Sequence, residues 1–144
     1  MAKQKIRYRA GDVFKVPSSS GATYIGQVVD DTKPDIGAAF CYFYGKDGDV
    51  SSTNIISASF VTPDLIERGA WEITGYQVVP DHPARRKLVD ARENAFVGAV
   101  VVGSGLVAEY LDTFYGVIDE HHWPDPRYFR RFFLSYPDDP RKAG

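Results

Sequence analysis

Apolar and polar residues alternate in short segments that predict β-strands. Asp12 to Val16 alternates and ends at Pro17, and Thr23 to Val29 predicts the returning strand after a serine and glycine turn. The run from Ala38 to Tyr44 is apolar throughout, which predicts a central strand that is covered on both faces. The chain therefore begins with the pattern of an antiparallel sheet.

Later segments predict more strands and one main helix. The strand candidates are Asn54–Val61, Trp71–Val79 and Ala95–Val102. Residues 63–69 can form one helical turn, with Thr62 as its N-cap and Gly69 at its end. Together these elements predict an α+β fold, with a mainly antiparallel, strongly curved or barrel-like sheet and one main helix, about 104–115, packed on it.

Residues 103–108 spell G-x-G-x-x-A between a predicted strand and the predicted helix, which is the pattern of a dinucleotide-binding turn. Such a site needs a parallel sheet with several crossovers, and the rest of the chain does not provide them. A structural interpretation has Ser104 as the helix N-cap and Gly116 as its left-handed end. The predicted apolar stripe is Leu106, Val107, Tyr110, Leu111 and Phe114, while Glu109, Asp112 and Thr113 face outward. We therefore expect no cofactor.

Composition and charge are those of an ordinary folded domain. The 144 residues are 44% hydrophobic and carry a formal net charge of −2, so we expect a single domain over 1–144 with its core at about 10–136. A charge this small gives no overall attraction to nucleic acid or anionic lipid. No secretory leader and no apolar run of about 18 residues is visible, which predicts a cytoplasmic protein with no membrane partner.

Metal and catalytic sites are weakly indicated. Asp119, Glu120, His121 and His122 are all ligand types, but adjacent side chains diverge and no histidine pair has a metal-binding spacing. Cys41 lies in the most apolar strand, where a buried hydrophobic role is favoured, and no serine or cysteine is paired with a base by any motif. We therefore expect no metal ion and no catalytic residue.

Arginines and aromatic residues interleave between positions 127 and 133. If this segment is helical, its arginines share one face and its phenylalanines share the other. Arginine, tyrosine and tryptophan are enriched at the centres of protein interfaces. The candidate partner-binding residues are Trp123, Arg127, Tyr128 and Arg130, together with the acidic loop residues Asp30, Asp31, Asp47 and Asp49.

The order of several motifs resembles the immunity protein 26 family of bacterial polymorphic-toxin systems. The similar segments, which span about residues 10–116, are Gly11–Pro17, Tyr24–Val29, Phe43–Gly45, Gly69–Gly75 and Tyr115–Gly116. The resemblance implies an antidote that binds a cognate toxin domain and blocks it stoichiometrically, without catalysis. Residues 123–144 depart from the family pattern, so the resemblance does not identify them as the partner surface.

A different class of function also fits the sequence. The first hairpin is compatible with a small β-barrel that binds nucleic acid, or with a ribonuclease-like toxin. In that case Arg127 and Arg130 would contact phosphate and His121 would transfer protons. A protein partner is the first hypothesis, because no basic stripe continues elsewhere in the sequence.

Overall fold

The computed structural model describes residues 4–135, which form a six-stranded mixed sheet with helices around it. The strands are β1 (Asp12–Pro17), β2 (Thr23–Asp30), β3 (Ala39–Tyr44), β4 (Ile55–Val61), β5 (Ile73–Tyr76) and β6 (Val101–Val102). Their order across the sheet is β5-β1-β2-β3-β4-β6. Neighbouring strands are antiparallel, except for the parallel pair of β4 and β6.

The helices of the described residues lie between and after these strands. They are α1 (Lys33–Ile36), α2 (Asp64–Glu67), α3 (Arg86–Glu93), α4 (Ser104–Phe114) and α5 (Pro126–Phe132), with short 3-10 turns at Pro83–Arg85 and Glu120–His122. No helix within residues 4–135 has both the length and the apolar content that crossing a bilayer requires.

β3 is a central strand, as its apolar run predicted, and all of its residues are buried. Its side chains alternate between two cores because successive residues of a strand point to opposite faces. Ala39, Cys41 and Phe43 face the first core, and Phe40, Tyr42 and Tyr44 face the second. Residues of α4 and α5 contribute to the first core and Leu88 of α3 to the second, so helices cover both faces of the sheet.

The predicted α+β class is confirmed, but the predicted closure of the sheet and the single main helix are wrong. The sheet is open, with β5 and β6 at its two edges. Helices on both faces bury the apolar surface that a barrel would have enclosed. α3 was not predicted, because most of its residues are charged and Leu88 is the only one that is buried.

The last two strands are shorter than predicted. β5 pairs with β1 only at Ile73–Tyr76, and β6 consists of two residues that pair with Phe60 and Val61. Upstream of β6, Ala95 and Phe96 have φ angles of 51° and 61°. This left-handed conformation turns the chain where a continuous strand was expected.

α4 forms the predicted helix but differs in its details. Val107, Tyr110 and Leu111 are buried as predicted, whereas Leu106 is exposed. Asp112 and Thr113, predicted to face outward, are buried, and the serine turn after β1 lies against Asp112. The helical pattern of α4 alone does not show that the serine turn covers Asp112.

The caps of α2 and α4 also differ from the prediction. Gly103, and not Ser104, is the N-cap of α4, and the Ser104 amide donates to the Thr62 hydroxyl at 2.9 Å. Thr62 therefore caps α4, and Pro63 occupies the N-cap of α2. Gly116 follows the helix in the predicted left-handed conformation, with φ of 78°.

Candidate functional site beside strand β4

The first acidic pair of candidate residues lies at the end of β2, where Asp30, predicted in a loop, is the last residue of the strand. The carboxylate of Asp30 accepts a hydrogen bond from Arg92 of α3 at 2.6 Å, and this ion pair is partly buried. Asp31 accepts from the Tyr8 hydroxyl at 3.0 Å. Both carboxylates are therefore engaged with neighbouring segments of the chain.

The second acidic pair lies in the turn after β3. Asp47 accepts from the Asn54 side-chain amide at 2.5 Å, and the backbone amide of Asp49 donates to the same carboxylate at 3.1 Å. Asp30 pairs with Phe40 at the start of β3, so the Asp30–Asp31 pair and this turn lie at opposite ends of the sheet. The structure does not bring the acidic candidates together into one surface.

The arginine candidates lie on α5, where the predicted division of faces is confirmed. Phe129 and Phe132 are buried, and the arginines are exposed. Arg127 forms two hydrogen bonds with Asp125, at 3.1 and 3.0 Å, and these bonds hold the pKa of that carboxyl below its usual value. The Arg130 Nε donates to Glu120 at 2.6 Å. Two of the arginines thus already have a carboxylate partner.

Trp123 is held mainly by internal contacts. Its indole N–H donates to the Thr113 hydroxyl at 2.9 Å, and its ring meets that of Tyr110 edge-on at 4.8 Å between centroids. The ring also stacks over Phe129 at 6.3 Å. These contacts fasten the segment before α5 to α4, so Trp123 is best explained as part of the packing.

Tyr128 differs from Trp123 because 61% of it is exposed, and it lies at the rim of a groove. This groove, called the β4 groove below, has a volume of about 480 Å³. It is lined by Ser59 and Phe60 of β4, Lys87, Asp90 and Ala91 of α3, residues 94 and 97–100 of the following loop, Val102 of β6, and Tyr128, Arg131 and Phe132 of α5.

The β4 groove exists because β4 is only partly paired on the side that faces away from β3. β6 covers Phe60 and Val61, and at the other end the Leu134 amide donates to the Ile56 carbonyl at 2.9 Å. Between these two points, the Ala58 carbonyl accepts a hydrogen bond from the Lys87 ammonium at 2.8 Å. A charged side chain therefore covers this part of the edge, which is one way in which proteins block unwanted strand pairing.

The loop that forms one wall of the groove is held in an unusual conformation. Ala95 and Phe96 are both left-handed, at a cost of about 1–3 kcal/mol for each such residue. Asn94 Nδ2 donates to the Val97 carbonyl at 3.1 Å, and the Phe96 ring packs against Phe60. The loop presents Val97 and Val100 to solvent, with 72% and 52% of each exposed. Strained backbone next to exposed apolar side chains is a common feature of binding sites.

Positive charge predominates in the β4 groove. Asp90 already pairs with Arg86 at 3.1 Å, whereas Arg131 has no ion-pair partner within residues 4–135. Burial lowers the pKa of Lys87, as expected for an ammonium removed from water. The groove can therefore accept an anionic group beside apolar surface.

The glycine motif forms the N-terminus of α4 and lies beside a carboxylate. The Ser104 hydroxyl donates to the Asp64 carboxylate at 2.7 Å, directly at the helix N-terminus. Burial raises the pKa of Asp64, but hydrogen bonds from Thr62 and Ser104 outweigh it and hold the pKa below its usual value. A carboxylate at this position would repel a pyrophosphate. The geometry favours the structural interpretation of the glycines.

Other chemistry-bearing side chains do not form a reactive arrangement. Within residues 4–135, no group of three or more histidine, cysteine or acidic side chains is placed to hold a metal ion. The exposed His121 ring bonds to the Asp119 carboxylate at 2.8 Å. Cys41 is fully buried, and burial raises the pKa of its thiol. The thiol is therefore protonated and inaccessible at neutral pH.

Sequence reasoning identified Tyr128 but missed the rest of the β4 groove. Arg131 belongs to the same arginine and aromatic run, so its exposure could have been inferred from the helical pattern. Lys87, Val97 and Val100 gave no signal, because they are separated from Tyr128 in sequence and meet it only in the fold. No protein-family model, curated protein sequence or solved structure matches this chain.

Proposed function

We propose that this protein binds another protein through the β4 groove, and that the partner is a cognate bacterial toxin domain which it neutralises in a stoichiometric complex. The observation that carries the proposal is the exposure of Tyr128, Val97 and Val100 beside Arg131 around one concave surface. The complex forms in the cytoplasm, and inhibition requires no catalysis by this chain.

The side chains at the groove are those that contribute most to protein interfaces. Tyrosine and arginine at a concave apolar surface are typical of the few residues that dominate binding energy. Covering about 100 Å² of the Tyr128 ring would contribute about 2.5 kcal/mol, at 25 cal/mol per Å². Val97 and Val100 add apolar surface on the opposite wall of the groove. These contributions are sufficient to make the groove the centre of an interface.

The toxin as partner follows from the resemblance to the immunity protein 26 family, and the structure explains why its motif residues occur. Gly11 has φ of 98°, and a Cβ atom at this position would lie 2.3 Å from the Tyr76 ring. Trp71 stacks on Phe14 at 5.2 Å between ring centroids. Gly11 and Trp71 therefore maintain the fold, and none of the residues that line the β4 groove belongs to the similar segments.

A growth assay tests this proposal. The chain is co-expressed with the toxin candidate encoded by the neighbouring gene, and growth is compared for wild type, Val97→Glu and Val78→Glu. Val78 is the matched control, because it is a valine with 81% exposure that follows β5 at the opposite edge of the sheet. We expect wild type and Val78→Glu to protect the cells and Val97→Glu to fail. Loss of protection in both variants, or in neither, contradicts binding through the β4 groove.

The ribonuclease-like alternative is tested with the same purified protein. Arg127 pairs with Asp125, Arg130 with Glu120 and His121 with Asp119, so the charge that would bind phosphate is largely neutralised. We expect no cleavage of RNA by the pure chain. Cleavage that is lost on replacement of His121 would favour this alternative over toxin neutralisation.

A further inference from the structure

The charges inside the β4 groove restrict what its occupant can be. Two cations, Lys87 and Arg131, line the cavity, and the one acidic lining residue, Asp90, pairs with Arg86 outside the set of lining residues. The negative charge of Asp90 is thus already balanced by Arg86. The Asp125 carboxylate also attracts Arg131, but it forms its ion pair with Arg127 and does not line the groove. The lining therefore carries more positive than negative charge beside apolar side chains, where electrostatic interactions are stronger than in water.

Lys87 is positioned to bind an additional acceptor. Its ammonium has three N–H donors, and one of them bonds to the Ala58 carbonyl at 2.8 Å. No other hydrogen-bond acceptor for Lys87 is found within residues 4–135. Ala58 belongs to the edge of β4, so the sheet fixes the position of the charged group. The remaining donors are available to a group that enters the groove.

Arg131 is the second cation of the groove lining, and it belongs to α5 rather than to α3. It lies on the exposed face of α5, next to the groove-lining Phe132, and lacks an ion-pair partner among the described residues. The guanidinium group binds carboxylates in a bidentate geometry, which gives both affinity and orientation. Its neighbours Arg127 and Arg130 already bond to Asp125 and Glu120.

The arrangement favours a single carboxylate over a polyanion. A nucleic-acid strand requires a row of unpaired cations, and on α5 the row is interrupted by two internal ion pairs. An acidic side chain requires only the pair inside the groove. The valines and Phe132 beside this pair provide a surface for an apolar neighbour of that acidic residue.

We propose that the β4 groove recognises a partner segment that places an aspartate or glutamate between Lys87 and Arg131, with a large apolar side chain against Val97, Val100 and Phe132. This inference rests on the proposed function, because it specifies the chemistry of the protein partner for the same groove. The acidic residue provides specificity, and the apolar residue provides much of the buried surface.

A display library of random linear peptides tests the inference without knowledge of the toxin. The library is selected against wild-type protein and against Arg131→Gln, with Arg7→Gln as a matched control, since Arg7 is also exposed and has no ion pair among the described residues. We expect wild type and Arg7→Gln to enrich peptides with an acidic residue next to a large apolar one. Arg131→Gln should weaken binding of these peptides about tenfold. Arg131→Glu should change the selected residue from acidic to basic.

Several outcomes would overturn the inference. An enriched pool without an acidic position, equal binding by wild type and Arg131→Gln, or no peptide lost with Val97→Glu each contradicts it. Salt-sensitive binding of single-stranded RNA that depends on Arg131 would assign the cation pair to phosphate and also overturn it. If the pool requires Val97 and Tyr128 but carries no acid, the carboxylate assignment fails while the groove remains a protein-binding site. Failure of the proposed function is seen separately, as absence of protection by the wild-type chain in the growth assay.

Discussion

The turn between β1 and β2 is fastened to α4 by one buried carboxylate, and its replacement is predicted to be strongly destabilising. Asp112 is 1% exposed and accepts hydrogen bonds from the hydroxyls of Ser18, Ser20 and Tyr24. The bonds from Ser20 and Tyr24 measure 3.0 and 2.5 Å. A buried charge held by neutral donors is stable only while those bonds persist.

The magnitude follows from the burial of each donor. In Asp112→Ala, the hydroxyl of the buried Tyr24 loses its partner, which costs about 1–3 kcal/mol. Ser18 and Ser20 are partly or fully exposed and regain bonds to water, so each contributes less. Relief of the buried charge offsets part of the loss. We therefore expect the free energy of unfolding to fall by about 2–4 kcal/mol.

Urea unfolding followed by tryptophan fluorescence measures this change. The control is Glu109→Ala on the same helix, whose side chain forms no hydrogen bond or ion pair with another residue of 4–135, and which should cost less than about 1 kcal/mol. Tyr24→Phe should destabilise the wild type but be neutral or stabilising in the Asp112→Ala background, because it then removes an unpaired hydroxyl. If the free energy of unfolding of Asp112→Ala lies within about 0.5 kcal/mol of that of the control, the hydrogen bonds to Asp112 do not stabilise the fold as proposed.

Three further predictions concern stability. Tyr42→Phe should be as stable as wild type or more stable in urea unfolding, because the Tyr42 hydroxyl is buried without a hydrogen-bond partner in the structure. The free energy of unfolding should fall as the pH rises above about 9–10. Burial raises the folded-state pKa of Cys41 and Tyr44, so the unfolded chain releases protons that the folded chain retains. Unfolding midpoints that stay constant up to pH ~11 would contradict this prediction. Thr62→Val should lower the free energy of unfolding by about 1 kcal/mol, because the Ser104 amide loses the hydroxyl that caps it. In thermal melts, this variant should be less destabilised than Val61→Ala, which removes buried apolar side-chain atoms.

The sequence predicted the centre of the sheet because there one short segment determines the structure. The apolar run of β3 can be buried only between two layers, and that position was predicted correctly. For the same reason, the spacing of the arginines and phenylalanines predicted that they lie on opposite faces if the segment is helical, as it is in α5. Where the local hydrophobic pattern agrees with the burial in the fold, the sequence is sufficient to predict the element and its buried face.

The candidate site was only partly predictable because it depends on distant segments. The left-handed Ala95 and Phe96 convert a predicted strand into the wall of the β4 groove, and residues of these types rarely adopt that conformation. Asp112 was placed outward because a helical wheel does not include the serine turn that covers it. Trp123 stays a prediction for the partner surface, and its indole N–H donates to Thr113 within the fold. Tertiary contacts decided each of these positions.

Binding of the toxin domain through the β4 groove is measured by titration calorimetry of the purified chain with the toxin domain encoded by the neighbouring gene. We expect a one-to-one complex for wild type and for Val78→Glu. Binding should be weakened about a hundredfold or more for Val97→Glu, because a charge would be buried in the apolar wall of the β4 groove. Equal affinity of the two variants, or no binding of the toxin domain by wild type, would show that the toxin domain does not bind through this groove.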